Sequence, residues 1–174
     1  METSEKSAIF VLMGEHKQIK QVESKIIVLR DTQVILDRDI AELYGVETRD
    51  INKAVKNNPD KFPQGYIITL EKEEKKELVE NFHRFNPLKH STVLPKAFTE
   101  KGLYMLATII KSPLATEATI AIIETFTKLR QLARAMQQAN DEIAKGGELP
   151  TAQERNAFKN LMDEVFADPM PVSV

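Results

Sequence analysis

The sequence of 174 residues has no cysteine, no tryptophan and only six glycines. Without cysteine the chain can form no disulfide, no thiolate zinc site and no thiol nucleophile. Its apolar runs fall short of the roughly 18 residues of a membrane-spanning helix, and residues 8–13 lack the preceding basic flank of a signal peptide. From these absences we expect a cytoplasmic protein with no membrane partner.

Charge is nearly balanced over the whole chain but not along it. With 24 basic and 26 acidic residues the net charge is -2, which argues against a nucleic-acid partner. Residues 25–130, however, hold 17 basic and 15 acidic side chains, a net charge of +2, whereas residues 131–174 are acidic. Within the middle part the stretch 81–111 is distinctly basic. It is either a binding surface or a set of ordinary solvated side chains.

Three short runs of β-branched and aromatic residues predict strands. Residues 26–29 and 34–36, separated by four polar residues, predict a hairpin. Residues 66–70 predict a further strand. The sequence therefore predicts a small sheet.

Helical patterns follow these runs. Asp37 is a candidate N-cap for a first helix that ends at Gly45, and Thr48 is one for a second helix over 49–57. The interleaved acidic and basic residues of 71–81 predict a helix with a solvated, charged surface.

The second half of the chain is predicted to be mainly helical. The aperiodic stretch 82–96 is expected to be a surface connection, and Thr99 is expected to cap the next helix. A long helix then runs from about 115 to about 144 and ends at Gly146, before an amphipathic helix over 151–166. The predicted class is α+β: a small sheet with a helix-turn-helix-like helix pair, followed by a long C-terminal helix.

The first two helices have the spacing of a helix-turn-helix. That motif needs a small residue where the helices cross, a glycine in the turn and an aliphatic residue after it, and Ala41, Gly45 and Val46 fulfil these needs. Ile51, Ala54 and Val55 supply the apolar face of the second helix. The spacing is also typical of two packed helices with no DNA-binding role, so both interpretations stay open at this point.

A candidate reading surface lies on the other side of the second helix. At about 100° per residue, Arg49, Asn52, Lys53 and Lys56 project away from the apolar face. Arginine and lysine bind guanine or phosphate, and asparagine can form a bidentate contact with adenine.

Several blocks of the sequence resemble the phage-type Orf-six-N DNA-binding domain, a relative of the KilA-N and Bro-N domains. These blocks are ILDRDIAELYGVET at 35–48, NPDKFP at 58–63, LPKAFTEKGLYMLA at 94–107 and ETFTKLR at 124–130. The resemblance covers about residues 25–130. It divides the chain into an N-terminal extension over 1–24, this domain over 25–130 and a helical tail over 131–174.

The resemblance implies a small domain that binds double-stranded DNA in phage- or prophage-type transcriptional regulators, often of antirepressor type. It implies DNA contacts from the helix after Gly45 and from the loop that follows, at Thr48, Arg49, Asn52, Lys53, Lys56, Lys61 and Gln64. The alternative is an antirepressor-like module that binds another regulator protein rather than DNA.

The long helix contains a heptad pattern. Its seam residues are spaced alternately by four and three: Ile122, Phe126, Leu129, Ala133, Met136, Asn140 and Ile143. Paired helices bury such a seam, and asparagine at an a position favours a register-matched dimer. We therefore predict a homodimer through the residues from Leu129 to Ile143, although packing within one subunit explains the first seam residues equally well.

No residue pattern indicates catalysis. Of the three histidines, His16, His83 and His90, the last two have no carboxylate at a metal-ligand spacing, no HExxH-like arrangement occurs, and the glycines form no phosphate-binding loop. We therefore predict a binding protein that is not an enzyme and uses no metal or other cofactor.

Overall fold

The computed structural model describes residues 17–146 and 151–166, with side chains described as far as residue 163. These residues form two compact units. The sheet unit spans residues 25–119, and the helical unit comprises residues 17–24 and 120–166. Most of the predicted extension over 1–24 lies outside the described residues.

The secondary structure is mixed. In chain order the elements are α1 (17–25), β1 (Ile27–Leu29), β2 (Thr32–Leu36), α2 (Asp37–Tyr44), α3 (Thr48–Asn57), β3 (Ile67–Thr69), α4 (Lys72–Asn81), β4 (Lys96–Thr99), α5 (Glu100–Ala107), α6 (Ala115–Ala144) and α7 (Ala152–Phe166). Two 3-10 segments lie at Pro59–Lys61 and His83–His90. The predicted α+β class and the long C-terminal helix are confirmed, whereas α1 and β4 were not predicted.

The four strands form one antiparallel sheet in the order β1-β2-β4-β3. In β2, Val34 pairs with Ile27 on one side and with Thr99 on the other. In β4, Phe98 pairs with Ile35 and with Ile67. The unpredicted strand β4 is therefore one of the two central strands, and it connects the predicted hairpin to β3.

The hairpin turn is shorter than the predicted gap of four residues. Leu29 pairs with Thr32, so only Arg30 and Asp31 form the turn, with φ angles of 51° and 60°. Positive φ at both central residues matches the twist of the flanking strands. The guanidinium group of Arg30 donates to both carboxylate oxygens of Glu74, at 3.0 and 2.7 Å, and this contact holds the turn against α4.

Two of the predicted helix caps are wrong by one residue. Leu36 is at the N-cap of α2, and Asp37 lies in the first turn. Glu47, not Thr48, caps α3, because its side chain accepts from the backbone of Asp50 while its own N–H donates to the Asp50 carboxylate at 3.0 Å. The carboxylates of Asp37 and Glu47 each lie at the N-terminal end of a helix, where the positive end of the helix dipole stabilises a negative charge.

One face of the sheet is covered by α4 and by the 3-10 segment that follows it. Val34 and Leu36 share a core cluster with Leu78 of α4 and with Phe85, which is fully buried. The prediction that residues 82–96 form a surface connection is therefore correct only in part. Most of this stretch is exposed, but Phe85 is a core residue and Lys96 begins the central strand β4.

The opposite face of the sheet is covered by α5 and by the loop after α3. Side chains alternate along a strand, so Ile35 and Phe98 point away from the first cluster. The ring of Phe98 meets the ring of Phe62 edge to face, with centroids 6.3 Å apart, and lies beside Gly102 of α5. Thr99 caps α5 as predicted, since its hydroxyl accepts from Gly102 N at 3.3 Å.

The helical unit contains most of the long helix. Its buried residues include Ile19 and Val22 in α1 and Ile122, Phe126 and Leu132 in α6. Gly146 follows the end of α6 at a φ of 72°, which confirms the predicted helix end. Within residues 17–146 and 151–166, no helix is both long enough and apolar enough to cross a membrane.

Candidate nucleic-acid interface

Helices α2 and α3 are joined by a tight turn at Gly45. Gly45 has a φ of 66°, and its N–H donates to Glu42 O at 3.2 Å, while Val46 N donates to Ala41 O at 2.9 Å. This pair of hydrogen bonds is a Schellman motif, which satisfies the last carbonyl groups of α2. The predicted role of Gly45 as the end of the first helix is confirmed.

The turn is packed from the segment that leads into α6. A Cβ atom at Gly45 would lie 3.0 Å from Leu114 Cδ1. Ser112 Oγ donates to Tyr44 O at 2.7 Å, and the Tyr44 hydroxyl lies 2.9 Å from Thr119 Oγ1. Burial raises the pKa of Tyr44, so its hydroxyl stays protonated and available for this hydrogen bond. These contacts fix the end of α2 and thereby the start of α3.

A buried carboxylate connects α2, α3 and β4. Asp37 Oδ1 accepts from Arg38 N at 2.8 Å. Its Oδ2 accepts from the side-chain nitrogen of Asn52 in α3 at 3.2 Å and from Lys96 N in β4 at 3.4 Å. Hydrogen bonds to a charged acceptor are stronger than those between neutral groups, so Asp37 holds α3 firmly against the rest of the unit.

Asn52, a predicted DNA contact, takes part in this buried arrangement. Its side-chain nitrogen donates to Asp37, and its side-chain oxygen is buried without a hydrogen-bond partner. The residue as a whole is half-buried. A bidentate contact with adenine needs both amide atoms, so it requires the side chain to leave Asp37.

The other predicted residues of α3 form an exposed basic stripe. Arg49, Lys53 and Lys56 are spaced by four and then three residues, so they share one side of the helix. That side is opposite to Ile51 and Ala54, which are buried. We call these three cations the α3 stripe.

The stripe begins beside the cap of α3. Arg49 Nε lies 2.6 Å from Glu47 Oε2, and both side chains are largely exposed, at 82% and 67%. Lys53 and Lys56 are exposed further along the helix, and Thr48 is half-buried in its first turn. The predicted DNA contacts of α3 are therefore brought together on one element, with Asn52 turned inwards.

The predicted contacts of the following loop are anchored separately. Lys61 ends the 3-10 segment after α3, and its ammonium group donates to Thr108 Oγ1 at 3.0 Å. Gln64 is exposed, one residue before Gly65, whose φ is 90°. Phe62 fixes the loop through its contact with Phe98.

Arg84, one of the cations of the basic stretch 81–111, points into the fold. Its guanidinium group lies 4.3 Å from the ring centroid of Phe85 and 3.6 Å from a carboxylate oxygen of Asp39. Burial raises the pKa of Asp39, and the charge of Arg84 opposes this shift only in part. Arg84, which contributes to the basic charge of the stretch 81–111, therefore has a structural role.

The predicted seam of α6 lies in the helical unit. Ile122 and Phe126 are buried and Leu129 is half-buried, whereas Ala133, Met136, Asn140 and Ile143 are exposed. Met136 and Ile143 expose 46% and 56% of their surface. Met136 and Asn140 also line a groove of about 620 Å³ together with Phe158 and Leu161 of α7. The second half of the seam is thus the accessible half.

The described residues offer no metal site of the usual kind. Within 17–146 and 151–166, no group of three or more histidine or acidic side chains is arranged to hold a metal ion. His83 Nδ1 instead lies 3.1 Å from the side-chain nitrogen of Asn86.

Comparison with protein families finds a match that covers most of the sheet unit. Residues 24–109 match the model of the ORF6N domain. The matched segment contains all four strands and α2 to α5. The match agrees with the resemblance of the sequence blocks to the Orf-six-N domain. No curated protein and no solved structure matches the chain.

Proposed function

We propose that the chain is a double-stranded DNA-binding transcriptional regulator of the phage type, and that α3 enters the major groove. The observation that supports this most strongly is the α3 stripe, in which Arg49, Lys53 and Lys56 share the exposed side of a helix buried on its other side. A helix held at its N-terminal end by the turn at Gly45 is suited to this geometry. The proposal assigns the chain a binding rather than a catalytic role.

The ion pair between Arg49 and Glu47 is compatible with DNA binding. Exposed pairs of this kind contribute only about 0–1 kcal/mol, so a phosphate group can replace Glu47 as the partner of Arg49 at little cost. Glu47 keeps its hydrogen bond to the backbone of α3 in either case. In this proposal Thr48, Lys61 and Gln64 add contacts to the DNA backbone, and Asn52 contacts a base only after its side chain has left Asp37.

Binding of a fluorescent duplex, followed by anisotropy, tests the proposal. Because phosphate contacts release counterions, we expect the affinity to fall steeply between about 50 and about 200 mM salt. The double variant Arg49→Ala/Lys53→Ala should bind at least about tenfold more weakly, with an unchanged melting temperature. A matched control is Lys76→Ala/Lys89→Ala, which removes two exposed charges from the elements on the opposite face of the sheet.

Two outcomes would overturn the proposal. If the wild-type chain binds no duplex even at low salt, the antirepressor-like alternative, in which the domain binds another regulator protein, becomes the better explanation. If the Arg49→Ala/Lys53→Ala variant unfolds instead of losing affinity, the α3 stripe has a structural role.

We further infer that the chain acts as a homodimer through α6. Support comes from the exposed part of the seam, where Ala133, Met136, Asn140 and Ile143 lie on one side of the helix. Pairing would remove the apolar surface of Met136 and Ile143 from water. Two subunits would also double the number of phosphate contacts, which offsets the small net charge of each domain.

A further inference from the structure

Helix α4 separates its charges onto two sides, although its sequence predicts a uniformly solvated surface. Glu74 binds Arg30 at the hairpin turn. Lys72, Lys75 and Lys76 instead line a groove beside the segment that follows the helix. Spacings of three and four residues keep these lysines on one side of α4. The folded helix thus directs Glu74 towards the hairpin turn and the three lysines towards the groove.

The groove is large and predominantly basic. It has a volume of about 760 Å³, within the range of small-molecule sites. Lys72, Lys75 and Lys76 are joined there by Lys89 of the 3-10 segment, and Glu80 is the single carboxylate among the described lining residues. The lining side chains therefore carry a formal surplus of three positive charges.

The walls of the groove also contain neutral groups that can position a ligand. Val79 and Leu94 contribute apolar surface, and Thr92 contributes a hydroxyl group. Lys75 Nζ donates to the carbonyl oxygen of Ser91, which connects α4 to the far wall. An ammonium group has three donors, so this hydrogen bond leaves two for a ligand.

The groove and the α3 stripe lie on different elements of the sheet unit, and none of the described residues that line the groove belongs to α3. Leu78 of α4 and Phe85 of the 3-10 segment pack on one face of the sheet. The loop after α3 packs on the other face through the contact of Phe62 with Phe98. A ligand in the groove would therefore leave the α3 stripe accessible.

We propose that this groove binds a phosphorylated small molecule of the nucleoside polyphosphate class. The ammonium groups of Lys72, Lys75, Lys76 and Lys89 would hold the phosphate oxygens, as lysine does in many phosphate sites. Val79 and Leu94 would contact the base. The DNA backbone offers the same phosphate chemistry, so the test includes a duplex. This site would give the regulator a place for an effector.

Isothermal titration of the full chain with ATP, and separately with inorganic tripolyphosphate, tests the proposal. We expect both to bind, and ATP to bind more tightly because only ATP has a base. The variant Lys76→Gln/Lys89→Gln removes two exposed charges from the groove and should weaken ATP binding by about tenfold or more. The matched control Lys53→Gln/Lys56→Gln removes the same charge from α3 and should bind ATP as the wild type does.

The outcomes separate a built site from general charge attraction. Absence of ATP binding to the wild type, or an equal loss in the groove and α3 variants, would overturn the proposal. Binding of a short duplex to the same variants is the remaining measurement. If Lys76→Gln/Lys89→Gln weakens duplex binding as much as Lys53→Gln/Lys56→Gln does, the groove is a DNA contact and the small-molecule assignment is wrong. Retained duplex binding with reduced ATP binding supports it.

Discussion

Two carboxylates of the sheet unit, Asp39 and Glu74, change the stability of the fold in opposite directions when the pH changes. Burial raises the pKa of Asp39, so the folded chain binds this proton more tightly than the unfolded chain does. Hydrogen bonds from Arg30 lower the pKa of Glu74, so the folded chain binds that proton less tightly. As the pH falls from neutral, protonation of Asp39 therefore favours the fold, whereas protonation of Glu74 removes a stabilising contact.

The variant Asp39→Asn should reveal the buried carboxylate through the pH dependence of stability. Wild-type Asp39 is charged and poorly solvated at neutral pH, whereas asparagine does not titrate. We expect the free energy of unfolding of the wild type, relative to the variant, to rise as the pH falls from about 7 to about 4. Urea denaturation at each pH measures this difference.

A comparison with Glu74→Gln provides the control for the sign of the effect. The stability of the wild type relative to Glu74→Gln should fall over the same pH range, because the lowered pKa of Glu74 makes its contribution depend on ionisation. A difference between wild type and Asp39→Asn that does not change with pH would contradict the role given to burial.

At the scale of elements, the position of α3 depends on the turn at Gly45. The φ of 66° suits glycine, and the contact with Leu114 leaves little space for a side chain. The hydrogen bonds of the Schellman motif and the buried carboxylate of Asp37 act on the same two helices. A side chain at position 45 would thus lower the stability of the fold in two ways that can be measured separately: through backbone strain and through crowding against Leu114.

The variant Gly45→Ala should be destabilised for both reasons. The left-handed conformation costs a residue with a Cβ atom roughly 1–2 kcal/mol, and the contact with Leu114 adds to this cost. Thermal and urea unfolding measure the total loss. If the proposed function holds, duplex affinity should fall as well, because α3 is no longer held in place.

The background variant Leu114→Ala isolates the crowding. Leu114 is 44% exposed, so its truncation alone should have a modest effect. In that background Gly45→Ala should lose only the cost of the left-handed conformation. An equal loss in both backgrounds would show that Leu114 moves aside freely.

Elements with a local cause could be predicted from the sequence. Gly45 ends α2 and Thr99 caps α5 through contacts within a few residues. Strand β4 could not be predicted in this way, because Lys96–Thr99 is short and takes its conformation from pairing with β2 and β3, which are distant in the sequence. Phe85 was missed for the same reason, since its burial depends on the sheet.

The candidate site likewise has features with a local cause and features that depend on residues distant in the sequence. The exposure of Arg49, Lys53 and Lys56 follows from helix periodicity alone, and the structure agrees with that projection. The inward position of Asn52 depends on Asp37, which lies one helix earlier, so no local pattern reveals it. The basic groove was missed because the sequence of α4 mixes both charges, and only the folded chain separates them.

At the scale of the whole molecule, the chain combines a sheet unit, most of which matches the ORF6N domain model, with a helical unit of a different character. Residues 131–174 have three more acidic than basic residues, whereas residues 25–130 have a surplus of two basic ones. Helix α6 contributes buried residues at its start and exposed seam residues towards its end. The proposed self-association therefore belongs to the acidic part and the proposed DNA contacts to the basic part.

Substitution of the exposed seam residues tests self-association in the full chain. We expect Met136→Glu/Ile143→Glu to reduce the mass measured by light scattering from that of a dimer to that of a monomer, because two charges cannot be buried in the seam. The control Gln131→Glu/Gln153→Glu adds the same charge at exposed positions outside the seam and should leave the dimer intact. A wild-type chain that is already monomeric would remove this proposal.

The packing of Tyr44 and Gly45 also defines where the domain can be cut. The family match ends at residue 109, yet Ser112, Leu114 and Thr119 contact the end of α2 and its turn. A fragment that stops at the end of the match would leave Tyr44, which is fully buried, partly open to water. A fragment meant to keep this packing, in an expression experiment or in a fusion protein, therefore has to extend at least to residue 119.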